Sequence, residues 1–270
     1  MKVLYNEIDP FAADWLERLV AAGSIPPGII DRRSICDLSP DDVRSYRQVH
    51  FFAGIGVWAY ALGQAGWPED RQCWTGSCPC QPFSGAGRKQ GFDDERDLWP
   101  VWAELIRACE PTVVFGEQVT GPAGRTWLAR VSDDLRDQRF DVGAADLPGA
   151  GVGAPHGRPR HFFVGARLGH STGVHEKRNR TVAVKIEEQE QPHRRAGALG
   201  ERHSMDSFWA DADLAGCRDG WRRPVEPGTR PVAPRTATHM GRMRAYGNAI
   251  VAPVAETFIR SFLEAEQDLT

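Results

Sequence analysis

The apolar residues of this chain fall in short blocks whose period switches repeatedly between two and about 3.6. Val3-Leu4-Tyr5 predicts a strand that begins almost at the first residue. Asp9-Pro10 then opens a helix, proline being tolerated in a first turn whose N–H groups have no helical partner. Along it Phe11, Trp15, Leu16, Leu19 and Val20 recur at helical spacing. Gly28-Ile29-Ile30 begins a second strand-like segment ending near Ile35, and Ser39-Pro40-Asp41-Asp42 is a helix-start signal. Gln48 to Phe52 reads as a buried strand, followed by a glycine turn and a helix bearing Trp58, Leu62 and Ala65. Trp74 to Cys78 is the next strand, and Leu98 to Ala108 a helix with Trp99, Trp102 and Leu105 on one side. Thr112 to Gly116 is a continuous apolar strand that delivers Glu117 at its C-terminal end. A helix over Arg125 to Leu135, a strand over Arg160 to Gly165 and a closing helix over Ile250 to Leu263 complete the pattern.

Strands alternating with helices predict an α/β fold: a mostly parallel sheet with helices on both faces. In such sheets ligands gather at the C-terminal ends of the strands. Between Gly165 and about Arg244 the periodicity fails, and Gly, Pro and Arg dominate 216–235. The expected division is one domain over 1–165, completed by 245–270, and a small irregular domain over 166–244.

Composition narrows this little. No apolar run reaches the roughly 20 residues of a membrane helix, and the N-terminus lacks a signal-peptide pattern. Six irregularly spaced cysteines do not make a disulfide framework, so a reducing, cytoplasmic compartment is expected. The spacing of Cys73, Cys78 and Cys80 does not suit zinc, and no metal is expected. Net charge is -3, yet residues 167–244 hold 15 Lys/Arg against 10 Asp/Glu. A locally basic face can bind phosphates although the total is acidic.

The candidate chemistry centres on Gly76-Ser77-Cys78-Pro79-Cys80-Gln81-Pro82-Phe83-Ser84. Cys80, just past a short strand, reads as a nucleophile on a strand-to-loop turn. With Glu117, the arginines Arg158 and Arg160, and the turn Phe52-Ala53-Gly54-Ile55-Gly56, it supplies the parts needed to attack an electron-poor ring.

These residues resemble the DNA cytosine-5 methyltransferase family. Pro79-Cys80-Gln81 is similar to its nucleophile motif, Glu117-Gln118-Val119 to its Glu-Asn-Val motif, and Arg158-Pro159-Arg160 to its Arg-x-Arg pair. Phe52 to Gly56 resembles the cofactor loop, and Gly247-Asn248-Ala249-Ile250-Val251 the C-terminal Gly-Asn motif. The order departs from the usual one. In most members the glycine loop comes first and two further strands precede the cysteine, whereas here only 28 residues run from Phe52 to Cys80. The missing pieces resemble Tyr5 to Ala12 and Ser34 to Leu38. A circularly permuted enzyme, complete in 270 residues, is therefore expected, with a Rossmann-like methyltransferase fold.

The resemblance implies S-adenosylmethionine as cofactor and duplex DNA as substrate. Cys80 would add to C6 of a flipped-out cytosine, Glu117 would act at N3, and Arg160 with Arg158 would hold the base and organise the acid. Phe52, Ala53, Gly54, Ile55 and Gly56 would cradle the cofactor, and Glu7 would take its ribose hydroxyls. Ile8, Ser34 and Ile35 would lie along adenine, with Leu98, Asn248 and Ala249 closing the pocket. Gln81, Ser84, Arg88 and Lys89 would meet the DNA, and the irregular segment would read sequence. A monomer in the nucleoid, from a restriction system, phage or prophage, fits this picture. A transfer-RNA methyltransferase and a DNA-binding relative without catalysis are the alternative readings. Gln118 and Pro159 depart from the family pattern, and transfer of a modified methyl group is a further alternative.

Overall fold

The run Val113-Val114-Phe115-Gly116 has too many apolar and β-branched side chains for a surface strand, and it lies buried in a central sheet position. The computed structural model describes residues 2–79, 97–154, 157–167, 213–216, 222–225 and 249–268. Their main sheet has seven strands in the order β2-β1-β3-β4-β5-β7-β6. These are β1 (Val3–Asn6), β2 (Ile29–Asp31), β3 (Gln48–Phe51), β4 (Cys73–Gly76), β5 (Val113–Val119), β6 (Asp141–Leu147) and β7 (Arg160–Ala166). The five strands β1 to β5 pair in parallel, and β7 pairs antiparallel with both β5 and β6. That reversal sets where the start of β7 lies. Arg160 opens β7, yet it lies at the same edge as the C-terminal ends of the parallel strands, opposite Val119.

Helices cover both faces, as the alternation along β5 requires. Val114 points into a cluster with Trp74, Trp99, Trp102, Trp127 and Phe163, which belong to or face α4 (Trp99–Cys109) and α5 (Pro122–Asp137). Val113 and Phe115 point the other way, into Trp58, Leu62, Trp67, Phe258 and Ile259 of α3 (Val57–Gln64), α6 (Ala252–Gln267) and the turn after α3. Arg71 fastens α6 by a bidentate pair to Glu266, 2.7 Å on both arms, while lying over the Trp67 ring. The N-terminal helix α1 (Pro10–Ala21) is capped by Asp9, whose carboxylate accepts from Phe11 and Ala12 N–H. The short α2 (Pro40–Val43) starts at the predicted Ser39 box.

Several predicted boundaries move. Glu117 is not the last residue of its strand, because pairing with β7 carries β5 on to Val119. Strand β6 was not predicted. It is an edge strand with partly exposed side chains, so its sequence carries little hydrophobic signal. Within the segment predicted to be irregular, β8 (Asp213–Gly216) and β9 (Arg222–Val225) form an antiparallel pair.

The strand order also corrects the expectation of circular permutation. Joining a chain's ends and reopening it before its second strand would place the Phe52 strand last. Here β3, which leads into Phe52, is third, and β4 follows it directly.

Gly116 holds β5 close to its neighbours: a Cβ there would stand 2.1 Å from Cζ of the fully buried Phe163. Gly116→Ala is expected to cost about 1–3 kcal/mol of stability, read by denaturant melting. An unchanged midpoint would contradict this packing.

Candidate active site

Two groups of side chains meet at the C-terminal edge of the sheet. The first surrounds the turn after β3. Phe52, Gly54 and Gly56 all have positive φ (51°, 55° and 78°), so the chain turns back sharply before α3. Glycine makes the last two affordable, and at Gly56 a Cβ would also press on Leu16, 3.0 Å away. Glu7, just past β1, clamps this turn from the side. Its Oε2 accepts from Gly54 N–H at 2.7 Å and its Oε1 from Asp9 N–H at 2.8 Å. Ala53 N–H donates to the Asn6 carbonyl at 3.0 Å, and Phe52 meets Trp102 edge-on. Ile55 is half-buried beside them.

Ile8 is 64% exposed next to this clamp, whereas Ile35 is 3% exposed and sits in the core with Leu38 and Trp102. Ser34 caps the short turn over Ile35–Asp37 by accepting from Cys36 N–H. Asn6 draws that turn toward β1 by donating to the Arg33 carbonyl at 2.8 Å. Leu98 is half-buried at the N-cap of α4, and the preceding Asp97 is fixed by Arg130 at 2.8 Å.

The second group surrounds Glu117. Its side chain is buried, and Arg160 Nε approaches Oε1 at 2.9 Å. Burial pushes its carboxyl above the usual range, opposed by the charge of Arg160, a hydrogen bond from Ser77, and the charge of Arg158. Arg158 has φ of 30° and donates from Nη2 to the Ala249 carbonyl at 2.9 Å, so it ties β7's approach to the C-terminal segment. Burial lowers its own pKa below the arginine range. Arg160 Nη1 donates to the Pro159 carbonyl at 2.8 Å. Gln118 faces away from Glu117. It is buried, its Oε1 accepts from Val119 N–H at 2.9 Å, and its Nε2 donates to the Cys78 carbonyl at 3.5 Å. That carbonyl lies two residues before Cys80.

Cys80, Gln81, Ser84, Arg88, Lys89 and Asn248 lie outside the described residues. The described thiols nearest in sequence, Cys73 and Cys78, are buried, and desolvation raises both well above the ordinary thiol value. Among the described residues no group of three His, Cys, Asp or Glu side chains could hold a metal ion, and no helix is long and apolar enough to cross a membrane.

The residues predicted at the cofactor turn, Glu7, Ile8 and Phe52 to Gly56, come together although they are 47 positions apart at the Glu7–Gly54 contact. Glu117, Arg158 and Arg160 also come together. Sequence reasoning missed Ser77 and Trp58. Trp58 Nε1 donates to Ser77 Oγ at 3.2 Å, and Ser77 reaches Glu117. Alternation from Thr75 would have put Ser77 on the Glu117 face.

Known proteins resemble this chain over part of its length. The family model described as C-5 cytosine-specific DNA methylase matches residues 65–204, just over half of the chain. The match takes in Cys80, Glu117, Arg158 and Arg160 and begins after the glycine turn. Type II methyltransferase M.HgiCII of Herpetosiphon aurantiacus is 27% identical over 164 residues, 46% of this chain and 38% of that protein. Type II methyltransferase M.HpaII of Haemophilus parainfluenzae is 36% identical over 114 residues, 40% of this chain and 31% of that protein. The chain thus spans about a third of the length of these curated relatives. A DNMT2 variant of Spodoptera frugiperda has a similar structure at 18% identity and a TM-score of 0.40, over 63% of this chain and 51% of that one.

Proposed function

Because this chain belongs to the C-5 cytosine-specific DNA methylase family, we propose that it methylates C5 of a cytosine flipped out of duplex DNA, using S-adenosylmethionine and the thiolate of Cys80. The observation that carries this reading is Glu117: a buried carboxyl with a raised pKa, ion-paired to Arg160, on the strand beside the one that leads to Cys80.

C5 of cytosine is too poor a nucleophile to take a methyl group unaided. Addition of the Cys80 thiolate to C6 makes the ring an enamine, with the new electron density reaching N3 and C5. Glu117 would relieve that density by donating a proton at N3, which an elevated pKa favours at neutral pH. Arg160 would hold the carboxyl and present its remaining donors to the base carbonyl, a task suited to a planar, permanently charged group. Arg158 would keep the C-terminal segment, with Asn248 beside its Ala249 contact, against the site. Gln118 would steady the approach to Cys80 through the Cys78 carbonyl.

The turn near Glu7 fits the adenosine half of the cofactor. Each Glu7 oxygen accepts one backbone N–H and keeps acceptor capacity for a ribose hydroxyl. Exposed Ile8 offers an apolar surface to adenine, and the Gly54 and Gly56 backbone admits close approach. Bound there, S-adenosylmethionine supplies an electrophilic methyl group on a sulfonium. Ser34, Ile35 and Leu98 would serve as wall and support, Ile35 from within the core.

In this reading residues 1–165 and 245–270 form the catalytic domain, and 166–244 read the target, aided by Gln81, Ser84, Arg88 and Lys89. Residues 5–38 would supply, ahead of the glycine loop, the units that most members carry after it. The protein would act as a monomer on DNA in the cytoplasm. The test is incubation of the purified chain with methyl-labelled cofactor and either duplex DNA or transfer RNA. Label in 5-methylcytosine of DNA is expected; label confined to RNA, or in adenine, overturns the proposal.

A further inference from the structure

We propose that Ser77, its hydroxyl oriented by the Trp58 indole, is a positioning residue that fixes how the Glu117 carboxyl is presented to the base. This rests on the acid role given to Glu117 above. The two contacts have a direction that hydrogen-bond chemistry dictates. An indole N–H can only donate, so Ser77 Oγ must accept from Trp58, at 3.2 Å. A serine hydroxyl carries one proton, and with its oxygen engaged by Trp58 that proton is the one directed at Glu117. Trp58 is itself held fast. It is 6% exposed, stacked on Phe115 with centroids 6.0 Å apart and edge-on to Phe162 at 5.9 Å. The donor therefore sits on a rigid base supplied by α3, β5 and β7.

Glu117 thus receives Arg160 Nε on Oε1 and the Ser77 hydroxyl as a second fixed donor. Two donors orient the carboxyl plane and leave an acidic proton to sit where neither points. Both also favour the charged form, working against burial. Trp58 and Ser77 come from separate elements, the first turn of α3 and the residue following β4. The relay thereby joins the helix behind the cofactor turn to the acid at the base site.

The test reads the Glu117 proton directly. The carboxyl carbons of glutamate are labelled with carbon-13 and titrated by NMR, Glu117 being the resonance absent from Glu117→Gln. In Ser77→Ala the Glu117 titration is expected to move to higher pH, and kcat to fall about tenfold, the loss of one hydrogen bond to a charged group. Ser77→Thr, which keeps the hydroxyl, should titrate as wild type. Trp58→Phe removes the indole donor and trims part of a buried ring, so its thermal melt is read beside its titration. It should shift Glu117 in the same direction by less, and add nothing when combined with Ser77→Ala. A Glu117 titration unmoved in Ser77→Ala, or a Trp58→Phe shift that adds in full to it, overturns the relay. Full activity in Glu117→Gln would instead sink the acid role, whatever the titrations show. Thermal melts of each variant identify any that fails to fold, and the Thr variant then decides through its intact or altered titration.

Discussion

Cys80→Ser is expected to lose methyl transfer by at least about 10³-fold while still binding DNA and cofactor. The reason is chemical rather than structural. A thiol ionises within a few units of neutrality, and its thiolate is a strong nucleophile toward the C6 position of a pyrimidine. A serine hydroxyl stays protonated near neutrality and is a far weaker nucleophile than a thiolate. The substitution changes one atom, so folding should be unaffected. Initial rates with labelled cofactor, together with binding of S-adenosylhomocysteine by calorimetry, separate the two effects. Loss of cofactor binding alongside activity would place Cys80 in the cofactor site. Retained activity would remove it from the chemistry.

Glu117→Gln is expected to lower the rate by about 10²–10⁴-fold, the usual worth of a placed general acid. Its pH behaviour is the sharper signature. Burial raises the Glu117 pKa, and only the protonated form can donate to the ring. As pH rises through that elevated value, the wild type loses its acid and the corresponding share of its rate. The Gln variant has no such loss, and its residual rate should rise with pH through thiolate formation alone. Stability follows the same proton. A carboxyl whose folded pKa exceeds its unfolded one binds a proton more tightly in the folded state. Its contribution is complete below the unfolded value and is lost as pH rises through the folded one. The wild type should therefore lose stability across that window and Glu117→Gln should not. Parallel stability curves for the two proteins would show that Glu117 does not titrate differently on folding.

The parts of this molecule that could be read from sequence are those where packing and pattern agree. Val113 to Gly116 had to be a buried strand because nothing else accommodates four such residues between polar turns, and Glu117 was then placed at the site edge. Trp99, Trp102 and Leu105 marked the buried face of α4 in the same way. Local chemistry was legible too: Asp9 and Ser39 both begin helices. What escaped were features that depend on a distant partner. Strand β6 has an ordinary, weakly apolar sequence and exists because β7 offers it an edge. The extension of β5 through Glu117 to Val119 also comes from β7. Arg158 gave no hint that it would grip the Ala249 carbonyl, 91 positions away. Ser77 looked like spacer beside the conspicuous Cys80, since its partner Trp58 arrives from a helix earlier in the chain.

The order of units was half legible. The N-terminal motifs raised the expectation of a changed order, and the sheet shows which strands are neighbours, with Glu7 clamping Gly54 across them. The two sides of the cofactor turn are joined by side chain and backbone contacts across β1 and β3, which stay neighbours whichever comes first in the chain.

One sulfur bonded to a pyrimidine is the claim on which the rest depends, and trapping that bond tests it most directly. Duplex oligonucleotides carrying 5-fluorocytosine within a verified target site, incubated with protein and S-adenosylmethionine, should yield a denaturation-resistant adduct. Peptide mass spectrometry should locate it on Cys80, and Cys80→Ser should form none. An enzyme that methylates the normal site yet leaves the fluorinated one free, or attaches it through another residue, would contradict the account.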